Sequence, residues 1–139
     1  SEMCIRERRC LDLLCTRSLS RKAFGKPLAE LGGNYDVIAD CRIEIEMCRL
    51  MTLKAAHMMD TAGNKIAKSE IAQIKVAIPL MATRVIDKAI QIHGGAGVSQ
   101  DTPLASLYAS VRYLRIGDGP DEVHRRTVAR YELGKHQSL

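Results

Sequence analysis

Apolar residues recur along this chain at steps of three and four, the spacing of one buried face of an α-helix. Cys10, Leu11, Leu14, Cys15 and Leu19 form the first such stripe and predict a helix from about Ile5 to Lys22. Gly25 and Pro27 break it, and "LGGN" at 31–34 is a second break. Val37, Ile38, Cys41, Ile45, Cys48, Thr52, Ala55 and Met59 then mark a long helix from about Tyr35 to Thr61, ended near Gly63. Ile71, Ile74, Ala77, Ile78, Met81, Val85, Ala89 and Ile92 mark another, from about Ala67 to His93, with Pro79 inside it as a kink or local irregularity. "GGAG" at 94–97 stops that helix. Pro103 fits the first turn of a short helix with Leu104, Leu107, Val111 and Leu114 inward, and Pro120 fits the first turn of a last one running to about Leu133. Long helices with short connections pack as antiparallel bundles. The expected fold is all-α, an antiparallel four-helix bundle with a short extra helix, in one domain over residues 1–139.

Composition agrees with that pattern. The chain is 46% hydrophobic and 27% charged, with one Phe, four Tyr and no Trp among 139 residues, enough for one real core. No apolar run reaches the length of a membrane span, and the charged start lacks the apolar centre of a secretory signal. Five cysteines, Cys4, Cys10, Cys15, Cys41 and Cys48, are odd in number and show no CxxC pair, which fits reduced thiols in an intracellular compartment better than a disulfide framework. The net charge of +5 suits anionic partners such as phosphates. Nucleic acid is a poor alternative, because the basic residues are spread over all helices, save for the locally basic "HRRTVAR", and stacking aromatics are few. The four histidines lie far apart, with no spacing for a closed zinc site.

Three stretches have chemistry to offer, and each also has a plain structural explanation. In "SRKAFGKPL", Arg21 and Lys22 close a helix, where positive charge suits the dipole, and Phe24 could plug the core. The same Arg21 could meet a phosphate with its forked donors. In "QIHGGAG", three glycines either stop a helix or let the backbone approach a ligand, with Gln91 and His93 beside them. In "RIGDGPDEVH", Asp118 or Gly119 could cap the last helix, and Asp121 and Glu122 would favour its dipole. The other possibility is that Asp118 is an acid held between two glycines at a pocket.

Together, in this order and spacing, "RKAFGKPL", "AIQIHGGAGVSQDTPL" and "RIGDGPDEVHRRTVA" resemble the three signature segments of the acyl-CoA dehydrogenase family's C-terminal helical domain. "DGPDEVH" most resembles the subgroup called acyl-CoA dehydrogenase family members 10 and 11. Gln91 and Asp118 stand 27 positions apart, the separation that the family shows between its QxxGG glutamine and its catalytic carboxylate. The resemblance implies α,β-dehydrogenation of an acyl-CoA thioester in fatty acid β-oxidation, with FAD as hydride acceptor. It places Asp118 as the base that takes the α-proton, although most of the family has Glu there, one methylene longer. Gly119 becomes the substrate contact.

Arg21 matches the arginine that meets the FAD pyrophosphate, usually across a subunit interface, and Phe24 the aromatic beside the dinucleotide. Gln91, Ile92, His93, Gly94 and Gly95 match the strip along a neighbouring subunit's FAD. Pro120, Asp121 and Glu122 match the cofactor-touching segment after the base, with Pro120 where the family often has a hydroxyl-bearing Thr. The resemblance further implies a homo-oligomer, a dimer or tetramer. It implies an electron acceptor such as an electron-transfer flavoprotein, and a mitochondrial or peroxisomal setting. Family members also carry an N-terminal helical domain and a middle β-domain, both absent from these residues, so the chain alone is expected to be inactive and to expose apolar surface. The competing expectation is a non-catalytic helical oligomerisation or interaction module, in which the three motifs survive only as caps and turns.

Overall fold

The structure, a computed structural model, describes residues 2–137 and the side chains from Ile5 onward, so the side chain of Cys4 lies outside the described residues. It is built of five helices: α1 (Glu2–Ser20), α2 (Asn34–Ala62), α3 (Lys68–His93), α4 (Leu104–Tyr113) and α5 (Asp121–Gly134). α3 is the axis of the domain and packs against the other four. Its sequence explains this, because Ala72, Ile78, Pro79, Met81, Ala82, Thr83, Val85, Ile86 and Ala89 are all buried. So wide an apolar stripe serves a helix surrounded by neighbours rather than one lying on a surface.

The core joins Cys10, Leu11 and Leu14 of α1 to Cys41, Ile45 and Cys48 of α2, the α3 stripe, and Leu104 and Val111 of α4. Burying side chains such as Leu14, Met81, Ile86 and Leu104 contributes about 1.5–3 kcal/mol each. α2 is tied to α3 by Arg84 donating to Glu44 at 2.9 Å and by the Cys48 thiol facing the Ala77 carbonyl at 3.8 Å. α2 ends where Gly63 turns to φ 82° and donates its N–H to the Met59 carbonyl, a conformation that glycine adopts at little cost.

Several expectations needed correction. The first stripe does not continue through Leu19, which is 68% exposed; Ser18 is buried instead, its hydroxyl donating to the Leu14 carbonyl at 2.7 Å. Met59 is also largely exposed. "KAFGKP" is more than a break. It forms a small antiparallel hairpin, β1 (Lys22–Ala23) against β2 (Lys26–Pro27), with Lys22 opposite Pro27. Its two-residue turn has positive φ at both positions, 53° at Phe24 and 78° at Gly25, as a tight hairpin turn of matching twist requires. Pro79 is tolerated inside α3, and Thr83 one turn on donates its hydroxyl to the Pro79 carbonyl at 2.9 Å. Having no N–H, Pro79 removes the helical donor that the Lys75 carbonyl would otherwise meet.

Candidate functional site

The loop between α4 and α5 is wound tightly. Ile116 and Gly117 both donate to the Tyr113 carbonyl, at 2.9 and 2.8 Å, and Asp121 N–H reaches back to the Arg115 carbonyl at 3.2 Å. At the head of this loop Asp118 has φ 55° and Gly119 φ 97°. Among residues with a side chain, Asp and Asn enter that left-handed region with least strain. Asp118 does not cap α5. The N-cap residue is Pro120, extended at ψ 161°, and no side chain caps that end. The capping explanation of the acid therefore fails on geometry, and what the backbone itself asks of position 118 is a residue that accepts positive φ.

Asp118 instead stands at a cavity of about 270 Å³ between α2, α3, the loop and α5. Ile74, Ile78, Pro79 and Leu114 make its apolar wall, and Thr52, Lys75, Asp118 and His124 supply its polar groups. The irregularity at Pro79 thus falls on the pocket wall. A Cβ at position 119 would lie 3.2 Å from His124 Nε2, so the missing side chain of Gly119 leaves room for that imidazole. Lys75 and His124 were not legible as pocket residues. Lys75 sits off the apolar stripe of α3, and His124 reads as part of the basic run "HRR". The only signal was that His124 falls in the first turn of α5, on the element that follows Asp118.

A second site forms where α1, the hairpin and the end of α3 meet. Arg17, Arg21, Ala23 and Leu28 face Gln91, Ile92, His93, Gly94, Gly95 and Ala96 across an open groove of about 500 Å³. The fold thus brings Arg21 together with the whole 91–95 strip. Gly94 ends α3 at φ 60°, and neither Gly94 nor Gly95 has an atom within 4 Å of where a Cβ would be, so their backbone is open to a visitor. Arg17 Nε is buried in this groove without an acceptor among the described residues. An unmet guanidinium donor, an exposed Arg21 and bare glycine backbone make a setting for an anion. His93 Nδ1 lies 2.7 Å from the Ala89 carbonyl, which fixes Nδ1 as the donor and holds the ring still.

Phe24 is 96% exposed at the hairpin turn, so the expectation that it could plug the core does not hold. Pro120 and Glu122 are exposed beside the Asp118 loop, whereas Asp121 is 4% exposed and paired with Arg115 Nε at 2.8 Å. The pocket and the groove lie at different levels of α3, Pro79 and Gln91 being about 18 Å apart along a helix axis.

These features define a helical domain with an acid-mouthed apolar pocket and a separate anion-ready groove. Residues 2–133 match the family described as "Acyl-CoA dehydrogenase, C-terminal domain", and the chain belongs to that family. It is 57% identical over 130 residues to acyl-CoA dehydrogenase family member 10 of Mus musculus, covering 94% of this chain and 12% of that protein. Among solved structures, a Mycobacterium abscessus protein assigned to the acyl-CoA dehydrogenases superposes with a TM-score of 0.95 at 53% identity, over 96% of this chain and 33% of that one. The FAD complex of PigA superposes with a TM-score of 0.87 at 27% identity, over 95% of this chain and 34% of that one. The chain therefore spans about a third or less of each of these relatives. Among the described residues, no helix is long and apolar enough to cross a membrane.

Proposed function

We propose that this chain is the C-terminal helical domain of a larger FAD-dependent enzyme that dehydrogenates acyl-CoA thioesters in fatty acid oxidation, with Asp118 as the α-proton base. The observation that carries the reading is the placement of Asp118: an acid raised on a left-handed turn, not used as a cap, at the mouth of an apolar cavity. A general base must be ionised and within hydrogen-bond reach of the proton that it takes. The room left by the two flanking glycines is filled from within the fold, by the Tyr113 ring at Gly117 and the His124 imidazole at Gly119, and Gly119 is the proposed substrate contact through its backbone. The wall of Ile74, Ile78, Pro79 and Leu114 suits the acyl chain.

The residues of the groove fit a dinucleotide. Arg17 and Arg21 offer donors to the pyrophosphate, Gly94 and Gly95 let it come against the backbone, and Gln91, Ile92 and His93 line its path. Phe24, exposed at the hairpin turn, would offer a ring face, and Pro120 and Glu122 would border the cofactor near the base. When bound, the flavin accepts the hydride leaving the β-carbon. Asp118 takes the α-proton, and the electron pair of that C–H bond becomes the new double bond. The groove and the pocket sit at separate levels of α3, which suits a cofactor shared between subunits of a dimer or tetramer.

The N-terminal helical and middle β-domains of the full-length protein would complete the cofactor and acyl-CoA sites. An electron-transfer flavoprotein is the proposed reoxidant, in a mitochondrial or peroxisomal setting. Anaerobic mixing of acyl-CoA with the FAD-loaded full-length protein should bleach the flavin, and mixing with this chain plus free FAD should not. Bleaching by the chain alone would contradict its dependence on the other domains. No bleaching in the full-length protein with any acyl-CoA would leave the oligomerisation module standing.

A further inference from the structure

We propose that Arg115 and Asp121 form a clasp that sets the position of Asp118, making both of them positioning residues for the proton transfer; this rests on the reading of Asp118 as the base. The two residues bracket the loop. Asp121 N–H closes onto the Arg115 carbonyl at 3.2 Å, and Arg115 Nε donates to Asp121 Oδ2 at 2.8 Å. One residue pair is thus joined through backbone and side chain at once, and the five residues between them are held as a closed turn. Within that turn stand the two left-handed residues, Asp118 at φ 55° and Gly119 at φ 97°. A strained conformation persists only when its surroundings over-determine it, and the clasp is the restraint that spans both ends.

Asp121 could be explained as a mere helix-start acid, because negative charge suits that position. Such an acid is stabilised just as well in water. This one has a side chain only 5% exposed, and its Oδ1 is buried with no hydrogen-bond partner among the described residues. Burying a carboxylate so incompletely satisfied is costly. Among the described residues its side-chain hydrogen bond is the one to Arg115, so the bond that offsets this cost is also the one that shuts the loop. Burial separates Asp121 from its exposed neighbours Pro120 and Glu122. The pair is six residues apart across a turn, outside helical pairing distances, so its purpose lies in the loop and not in either helix.

The test uses the FAD-loaded full-length protein and a saturating acyl-CoA substrate. Asp121→Ala and Arg115→Ala should each lower kcat by about tenfold to a hundredfold, the penalty of a displaced reacting group. KM and FAD content should hardly change. The double variant should be no slower than the worse single one, because both remove the same contact. Arg115→Lys should recover part of the loss. If Asp121→Ala does not assemble, Asp121→Asn, which keeps volume and an acceptor, should show the same loss of kcat in smaller measure. Two results would overturn the clasp: kcat within about twofold of wild type in the single variants, or a loss that only follows FAD content or KM. Asp118→Asn in the same series separates the two levels of the account. If it abolishes turnover and the clasp variants do not, only the clasp fails. If it leaves turnover intact, the base itself is misassigned.

Discussion

Gly97 lies against the backbone of Ile90, so that a Cβ there would be 2.6 Å from the Ile90 carbonyl oxygen and 2.9 Å from its Cα. Both atoms belong to α3 and cannot swing aside. The glycine is what lets residues 94–98 fold back over the end of the helix and aim Gly94 and Gly95 into the groove. Gly97→Ala should therefore cost about 1–3 kcal/mol of stability in denaturant titrations, as overpacking does. Gly95→Ala, which meets nothing within 4 Å, should leave stability unchanged and weaken FAD binding in the full-length protein. Equal effects of the two on stability would contradict this division.

Phe24 carries a bulky side chain at φ 53° and is 96% exposed, a combination that folding alone does not explain. Asn-Gly is the preferred pair for this turn. Phe24→Asn should raise the melting stability, by about 1 kcal/mol if the strain is of the usual size, while FAD binds less tightly to the full-length protein. Calorimetry and a flavin titration check the two halves separately.

Glu7 is 1% exposed with neither carboxyl oxygen partnered among the described residues, and burial pushes its pKa up to about 7 from 4.5. Neighbouring Arg6 and the helix backbone only partly oppose this. The folded form then binds a proton more tightly than the unfolded one, so stability falls as pH rises from about 4.5 through 7. The cost is absent below that window and reaches on the order of 3 kcal/mol above it. Glu7→Gln should leave stability near pH 4.5 unchanged, raise it at pH 8, and flatten the profile between. A wild-type profile that rises across this window would contradict the assignment.

Ile43, Met47 and Leu50 fall on one face of α2 and are 56–58% exposed. An apolar stripe of this kind marks an association surface. The chain alone should sediment as a self-associating species, and the double variant Met47→Glu, Leu50→Glu should shift it to monomer. A wild-type chain that stays monomeric at high concentration would count against the stripe as an interface.

α2 and α3 were legible almost to the residue, because their stripes are long and each ends at a glycine of positive φ, Gly63 and Gly94. The hairpin was not, because two-residue strands have no alternation to read and Phe24 is no turn former. Three glycines in "GGAG" look alike in sequence, yet Gly94 and Gly95 face a groove while Gly97 faces a helix backbone. Arg21 and the 91–95 strip could be singled out by their residue types, but only the packing of α1 on α3 shows them sharing one groove. Asp118 or Gly119 could be read as the cap of the last helix, and the structure gives that place to Pro120, because the tight loop carries the chain one residue further before the helix starts. The inward turn of Asp121 was hidden, because pairing with Arg115 depends on the shape of the loop.

In the proposed reaction Asp118 takes the proton next to the thioester carbonyl. Replace it by Asn in the full-length, FAD-loaded protein and follow exchange of the α-hydrogens of a bound acyl-CoA with deuterated solvent by mass spectrometry. The account predicts that exchange falls by about a hundredfold or more, in the range typical of a lost general base, with FAD content unchanged. Exchange at the wild-type rate would contradict it.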